Sequence, residues 1–118
     1  MAYLKQLVWI GSSRRDLKTL PAEAQDDIGY ALHQAQAGDF PDHAKILKGL
    51  SGIIEIICDF DKNTYRAVYA AKLGEKIYIL HVFQKKSKKG IKTPKEEIEL
   101  IKRRLQTAKE IYNNRGES

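Results

Sequence analysis

Among 118 residues there is one cysteine, Cys58. A lone thiol excludes an intramolecular disulfide and fits a reducing compartment. Its setting, at the end of Ile53-Ile54-Glu55-Ile56-Ile57-Cys58, suits a buried structural thiol better than a nucleophile. Long apolar runs are also missing. None approaches the ~18 residues that span a bilayer, so no membrane partner is expected. The stretch from Met1 to Ile10 holds one lysine and a brief apolar segment with no small-residue cleavage site, so no secretory leader is expected. A cytoplasmic protein is the expectation. Three scattered histidines (His33, His43, His81) and one cysteine have no zinc-ligand spacing, so no metal is expected. There is no glycine-rich nucleotide loop and no Walker sequence, so no nucleotide cofactor is expected either. No repeat or long linker divides the chain, and its length suits one domain over 1–118.

What the sequence does have is positive charge in one place. The net charge is +6. Residues 1–83 carry 10 Lys+Arg against 10 Asp+Glu, whereas residues 84–118 carry 11 against 5. All of the excess therefore lies in the last 35 residues. Lys85, Lys86, Lys88, Lys89 and Lys92 crowd five ammonium groups into eight residues. Such a cluster attracts polyanions such as RNA, DNA or an acidic protein segment, and binding should weaken steeply with salt. A solvated basic loop is the bland alternative.

The hydrophobic pattern is mixed. Leu7-Val8-Trp9-Ile10 reads as a short buried strand closed by Gly11. Ser13-Arg14-Arg15-Asp16 has the spacing of a capping box and should open a short helix through Leu20. Pro21 suits the first turn of a second helix, whose stripe is Ile28, Leu32 and Ala35 and whose end is Gly38. Residues 39–43 read as a loop. Residues 53–59, 64–71 and 76–84, rich in Ile, Val, Tyr and Phe, read as a three-stranded antiparallel meander. Asp61-Lys62-Asn63 and Leu73-Gly74-Glu75 are its turns. After a lysine-rich loop, Thr93 can cap a last helix and Pro94 suits its first turn. Ile98, Ile101, Leu105, Ala108 and Ile111 form its stripe, with fraying expected from residue 113. The expected class is α+β: an N-terminal strand and two helices, the meander, and a C-terminal helix, with the helices mainly on one face.

This order, with several local strings, resembles the RelE/ParE toxin superfamily. The strings are Leu47-Lys48-Gly49-Leu50, Tyr65-Arg66-Ala67-Val68-Tyr69, and Ile77-Tyr78-Ile79-Leu80-His81-Val82-Phe83-Gln84-Lys85-Lys86-Ser87-Lys88-Lys89. The opening Trp9-Ile10-Gly11-Ser12-Ser13-Arg14-Arg15-Asp16-Leu17 is similar to the HigB-like, phage-associated branch. The likeness covers roughly residues 5–110. It implies a RelE-like fold and a toxin that, as RelE and HigB do, cuts mRNA in the ribosomal A site without a metal. The ribose 2′-OH attacks the adjacent phosphate, and basic side chains stabilise the charge that develops. By resemblance Arg66 stands where the family has a phosphate-binding arginine. Lys86 falls near a second arginine that assists the leaving group, with Lys85 and Lys88 beside it. Lysine keeps the charge there but loses the bidentate fork. Two lysines that RelE carries on the first meander strand are replaced by Glu55 and Ile57, and the tyrosine near its last helix has no counterpart. The implied partners are the ribosome with its mRNA and a helix-turn-helix, HigA-like antitoxin.

Metal-free RNA cleavage needs a proton acceptor, a proton donor and positive charge at the phosphate. His33 is expected on an exposed helix face and His43 in a surface loop. His81, in apparent alternation with Ile77, Ile79 and Phe83, reads either as a core histidine satisfied by a backbone bond or as the group that moves a proton. Arg66 likewise reads as a phosphate ligand or as the partner of Glu55, which is diagonal to it if the turn pairs the strands simply. The site expectation is therefore Arg66, Lys86 and His81 as catalytic groups, with Lys85, Lys88, Lys89 and Lys92 on the RNA. Phe83 and Tyr69 could stack a base, although core packing is the commoner role. Two other functions stay open: a ParE-like inhibitor of DNA gyrase, and a non-toxic nucleic-acid-binding module.

Overall fold

Strand propensity and strand order follow one another closely in the computed structural model, which describes residues 3–85 and 93–116. The β-branched and aromatic runs form β3 (Ile53–Phe60), β4 (Asn63–Ala70) and β5 (Lys76–Lys85), an antiparallel meander. β1 (Gln6–Trp9) lies parallel to β5, and β2 (Ala44–Ile46) pairs antiparallel with β3. The sheet order is β1-β5-β4-β3-β2. β2 directly follows the loop expected at residues 39–43, in a stretch to which no element was assigned. Three residues are too few to display a period.

The helices are α1 (Ser13–Lys18), α2 (Ala22–Gln36) and α3 (Lys95–Gly116). Their placement corrects the one-face expectation. The α2 stripe of Ala24, Ile28, Leu32 and Ala35 packs with Ile56, Cys58, Tyr65, Ala67, Tyr69, Ile77, Ile79 and Val82, and Leu17 of α1 joins it. The α3 stripe of Ile98, Ile101, Leu105, Ala108 and Ile111 packs with Ile53, Val68, Ala70, Tyr78, Leu80 and Phe83. The two helical layers thus cover opposite faces of the sheet. That is why β4 and β5 are buried along nearly their whole length and read as continuous apolar runs.

The helix ends differ in detail from expectation. Ser12, not Ser13, is the N-cap of α1, and its hydroxyl donates to Asp16 Oδ2 at 2.7 Å. Ser13 is buried in the first turn and donates to the Ile79 carbonyl at 3.2 Å, which ties α1 to β5. Pro21 is the N-cap residue of α2, and Gly38 follows the Ala37 C-cap with φ of 93°. α3 continues to Gly116, past the point where fraying was expected.

One irregularity governs the site. β4 and β5 keep register from Thr64↔Lys85 to Val68↔His81, then slip, so that Tyr69 pairs with Ile79. Leu80 is the extra residue of a β-bulge. Ile77 and Ile79 therefore face α2, whereas Leu80 and Phe83 face α3. The apparent alternation of His81 with Ile77 and Ile79 is broken at this bulge. His81 goes with Phe83, its ring stacked on that ring at 4.6 Å between centroids.

Candidate functional site

Register alone assembles the site on the face that α3 covers. Lys45 lies opposite Glu55, which lies opposite Val68, which lies opposite His81. In the next row Ile57, Arg66 and Phe83 align, and in the next Asp59, Thr64 and Lys85. Glu55 and Arg66 are therefore diagonal neighbours, as the simple pairing of the turn requires. Their side chains meet, with Arg66 Nη1 3.0 Å from Glu55 Oε1. Lys45 Nζ stands 3.7 Å from the same oxygen, and Thr93 donates its hydroxyl to Glu55 Oε2 at 2.7 Å. Thr93 thus uses its hydroxyl on the sheet at the entrance to α3.

A carboxylate that is 0% exposed would be expensive without partners. Here one carboxylate gathers two cations and a hydroxyl. Lys85, also buried, completes the group. Its ammonium is pushed below the ordinary lysine range, first by burial and then by the Arg66 guanidinium, with Glu55 acting in the opposite sense. Three cations around one carboxylate leave a net positive cluster.

His81 occupies the neighbouring position on β5. Its Nε2 lies 2.6 Å from Glu97 Oε1 in the first turn of α3. Glu97 can only accept when ionised, so in the neutral ring Nε2 carries the proton and Nδ1 holds the lone pair. Nδ1 is buried and has no hydrogen-bond partner among the described residues. A histidine held at one nitrogen by a carboxylate, with a lone pair on the other, is the arrangement of an oriented base. It also replaces the backbone bond that a core histidine was expected to make.

The remaining candidates are distributed elsewhere. Lys86, Lys88, Lys89 and Lys92 lie outside the described residues. His33 is exposed on α2. His43 is exposed and lines a cleft of about 390 Å³ beside α2, with Asp27, Asp42 and Asp59. Tyr69 is 2% exposed in the core against α2, which removes it as a stacking platform. Cys58 is buried there too, and its thiol donates to Asp27 Oδ2 at 3.7 Å. Among the described residues no group of three or more His, Cys, Asp or Glu could hold a metal ion, and no helix is long and apolar enough to cross a membrane.

Sequence reasoning missed Lys45, Glu97 and the role of Thr93. Lys45 lies on the unrecognised strand β2. Glu97 lies in the first turn of α3, where any acidic residue suits the positive end of the helix. Its spacing from His81 only becomes a contact once α3 crosses β5. Residues 15–106 match the model of the phage-derived Gp49-like protein family. No curated protein matches the chain.

Proposed function

We propose that this chain, which belongs to the Gp49-like family of phage-derived proteins, is the toxin of a type II toxin–antitoxin system and cuts mRNA on the ribosome. The observation that carries this reading is the pairing of two devices on one sheet face. One is the cationic cluster of Lys45, Arg66 and Lys85 around Glu55, and the other is the Glu97–His81 pair, in which Nδ1 keeps its lone pair. In this reading Nδ1 of His81 takes the proton of a ribose 2′-OH. The 2′ oxygen forms a bond to the adjacent phosphorus while the bond to the 5′ oxygen breaks, leaving a cyclic phosphate and a new 5′-OH. Lys86 supplies charge or a proton to the departing oxygen. Arg66 and Lys85 stabilise the charge on the phosphate, and Lys88, Lys89 and Lys92 hold the strand. A helix-turn-helix antitoxin neutralises the chain, and an acidic segment of it suits the excess charge of residues 84–118.

Expression of the chain alone, with primer extension on cellular mRNAs, tests the reading. Growth arrest with new 5′ ends inside translated regions is the expected result. His81→Gln should lower cleavage by about 100-fold or more if the histidine is the base. Arg66→Lys keeps the charge beside Glu55 and loses the fork, so it separates phosphate binding from folding better than alanine does.

The burial of Arg66, whose side chain is 4% exposed, favours a second reading in which this ion pair is structural. The chain would then act as a ParE-like gyrase inhibitor or as a nucleic-acid-binding module. Arrest with intact mRNA and damaged DNA selects the former, and normal growth with folded protein selects the latter.

A further inference from the structure

We infer that Lys45 is a substrate-phosphate contact of this site and that Glu55 is the positioning residue that holds Lys45 and Arg66 at one point of the sheet. The inference rests on the RNA reading above and assigns separate roles to two members of its cluster. Of the three cations around Glu55, Arg66 and Lys85 are buried, whereas the Lys45 side chain is 36% exposed. A phosphate arriving from solvent therefore meets Lys45 first. Lys45 is also fixed in place by backbone, because its strand registers it directly opposite Glu55. The ammonium is a compact point charge with three donors, so it can turn toward a phosphate while remaining near the carboxylate at 3.7 Å. Arg66 sits closer to Glu55, at 3.0 Å, and is the more firmly held of the two.

Glu55 does what neither cation can do for itself. It is wholly buried, and its two oxygens reach β2 and β4 on one side and Thr93 on the other. One carboxylate thereby fixes the spacing of the exposed cation, the buried cation and the residue that leads into α3. His81, bonded to Glu97 in the first turn of that helix, is placed by the same docking. The substrate contact and the base are registered to each other through Glu55 and α3.

The test uses the full chain and a fluorescein-labelled ten-nucleotide oligouridylate, titrated at several salt concentrations. Lys45→Ala should weaken binding about fivefold or more at low salt and reduce the salt slope by about 0.7, the share of one phosphate contact on a single strand. Lys45→Arg should restore both. Lys48→Ala, which removes an exposed lysine from the turn after β2, should change neither. Wild-type protein that does not bind the oligonucleotide, or equal losses for Lys45→Ala and Lys48→Ala, overturns the inference. In the ribosome assay Lys45→Ala should raise KM at constant kcat. Glu55→Asp, which keeps the charge but shortens its reach, should lower kcat about tenfold or more in protein still folded at the assay temperature by circular dichroism, and an unchanged kcat removes Glu55 from the proposal. Lys45-dependent binding by a chain that cuts no mRNA would overturn the nuclease reading and leave the contact standing. Cleavage by Lys45→Ala with wild-type KM would do the reverse.

Discussion

Asp61 and Lys62 occupy the two-residue turn between β3 and β4 with φ of 52° and 68°. Both are left-handed, the geometry that matches the twist of a tight hairpin and that normally selects Asn-Gly. Lysine carries a Cβ that opposes this conformation by roughly 1 kcal/mol. Lys62→Gly should therefore stabilise the protein by about 0.5–1 kcal/mol, read as a higher urea midpoint at constant m value, after allowance for the extra freedom of glycine in the unfolded chain. Gly11 presents the opposite case. Its φ is 58°, and a Cβ there would stand 2.8 Å from Arg104 Nε. Arg104 cannot easily withdraw, because Nη1 donates to the Leu80 carbonyl at 3.0 Å and Nη2 to the Ser12 hydroxyl at 3.1 Å. The Leu80 carbonyl belongs to the bulge, so this arginine ties α3 to the irregular point of β5. Gly11→Ala should cost about 1–3 kcal/mol in chemical denaturation, and Gly11→Ala with Arg104→Ala should recover the steric part but not the lost acceptor partner.

The elements were legible where a period runs long enough to be counted. Ile28, Leu32 and Ala35 on α2 and the five-residue stripe of α3 are all packed as their spacing requires. The meander and its tight turns follow from the β-branched runs. What periodicity cannot convey is which face a helix takes, and α2 and α3 cover opposite faces. Nor can it reveal a bulge, since Leu80 looks like any other apolar strand residue. The diagonal of Glu55 and Arg66 was readable, because it needs only a simple turn, but the same reasoning could not add Lys45 or Thr93. Removing one member of this buried pair leaves the other charged and without its counterion. Glu55→Leu and Arg66→Met should each cost about 3–5 kcal/mol. The double variant should be far closer to wild type than the sum, because no stranded charge remains. A thermodynamic cycle from urea unfolding measures this directly, and additive losses would show that the two side chains are not coupled.

Across the whole molecule the two faces of the sheet differ in chemistry. The face against α3 holds the cations, Glu55 and His81, while Asp27 and Asp42 line a cleft beside α2. The composition revealed the basic excess of residues 84–118 but not this separation, which depends on how strands alternate. The acidic side has a consequence for stability at high pH. Burial, then the Asp27 and Asp59 carboxylates, push the Cys58 thiol from 9.0 up to about 11. The folded state therefore favours the neutral thiol. That contribution is present in full below pH 9 and is lost as pH rises toward 11, because the unfolded chain releases the proton first. Burial raises Tyr69 to about 12, which extends the same trend to higher pH. Lys85 acts in the opposite direction, since its lowered ammonium is a penalty that lifts as pH rises. Cys58→Ala separates these effects, because it deletes only the thiol and adds a cavity cost that does not titrate. Between pH 9 and 11 the wild type should lose on the order of 2 kcal/mol relative to Cys58→Ala, measured by urea unfolding at several pH values. A difference between the two proteins that stays constant over this range would mean that the thiol keeps its ordinary acidity, and that neither its burial under α2 nor its contact with Asp27 acts on it.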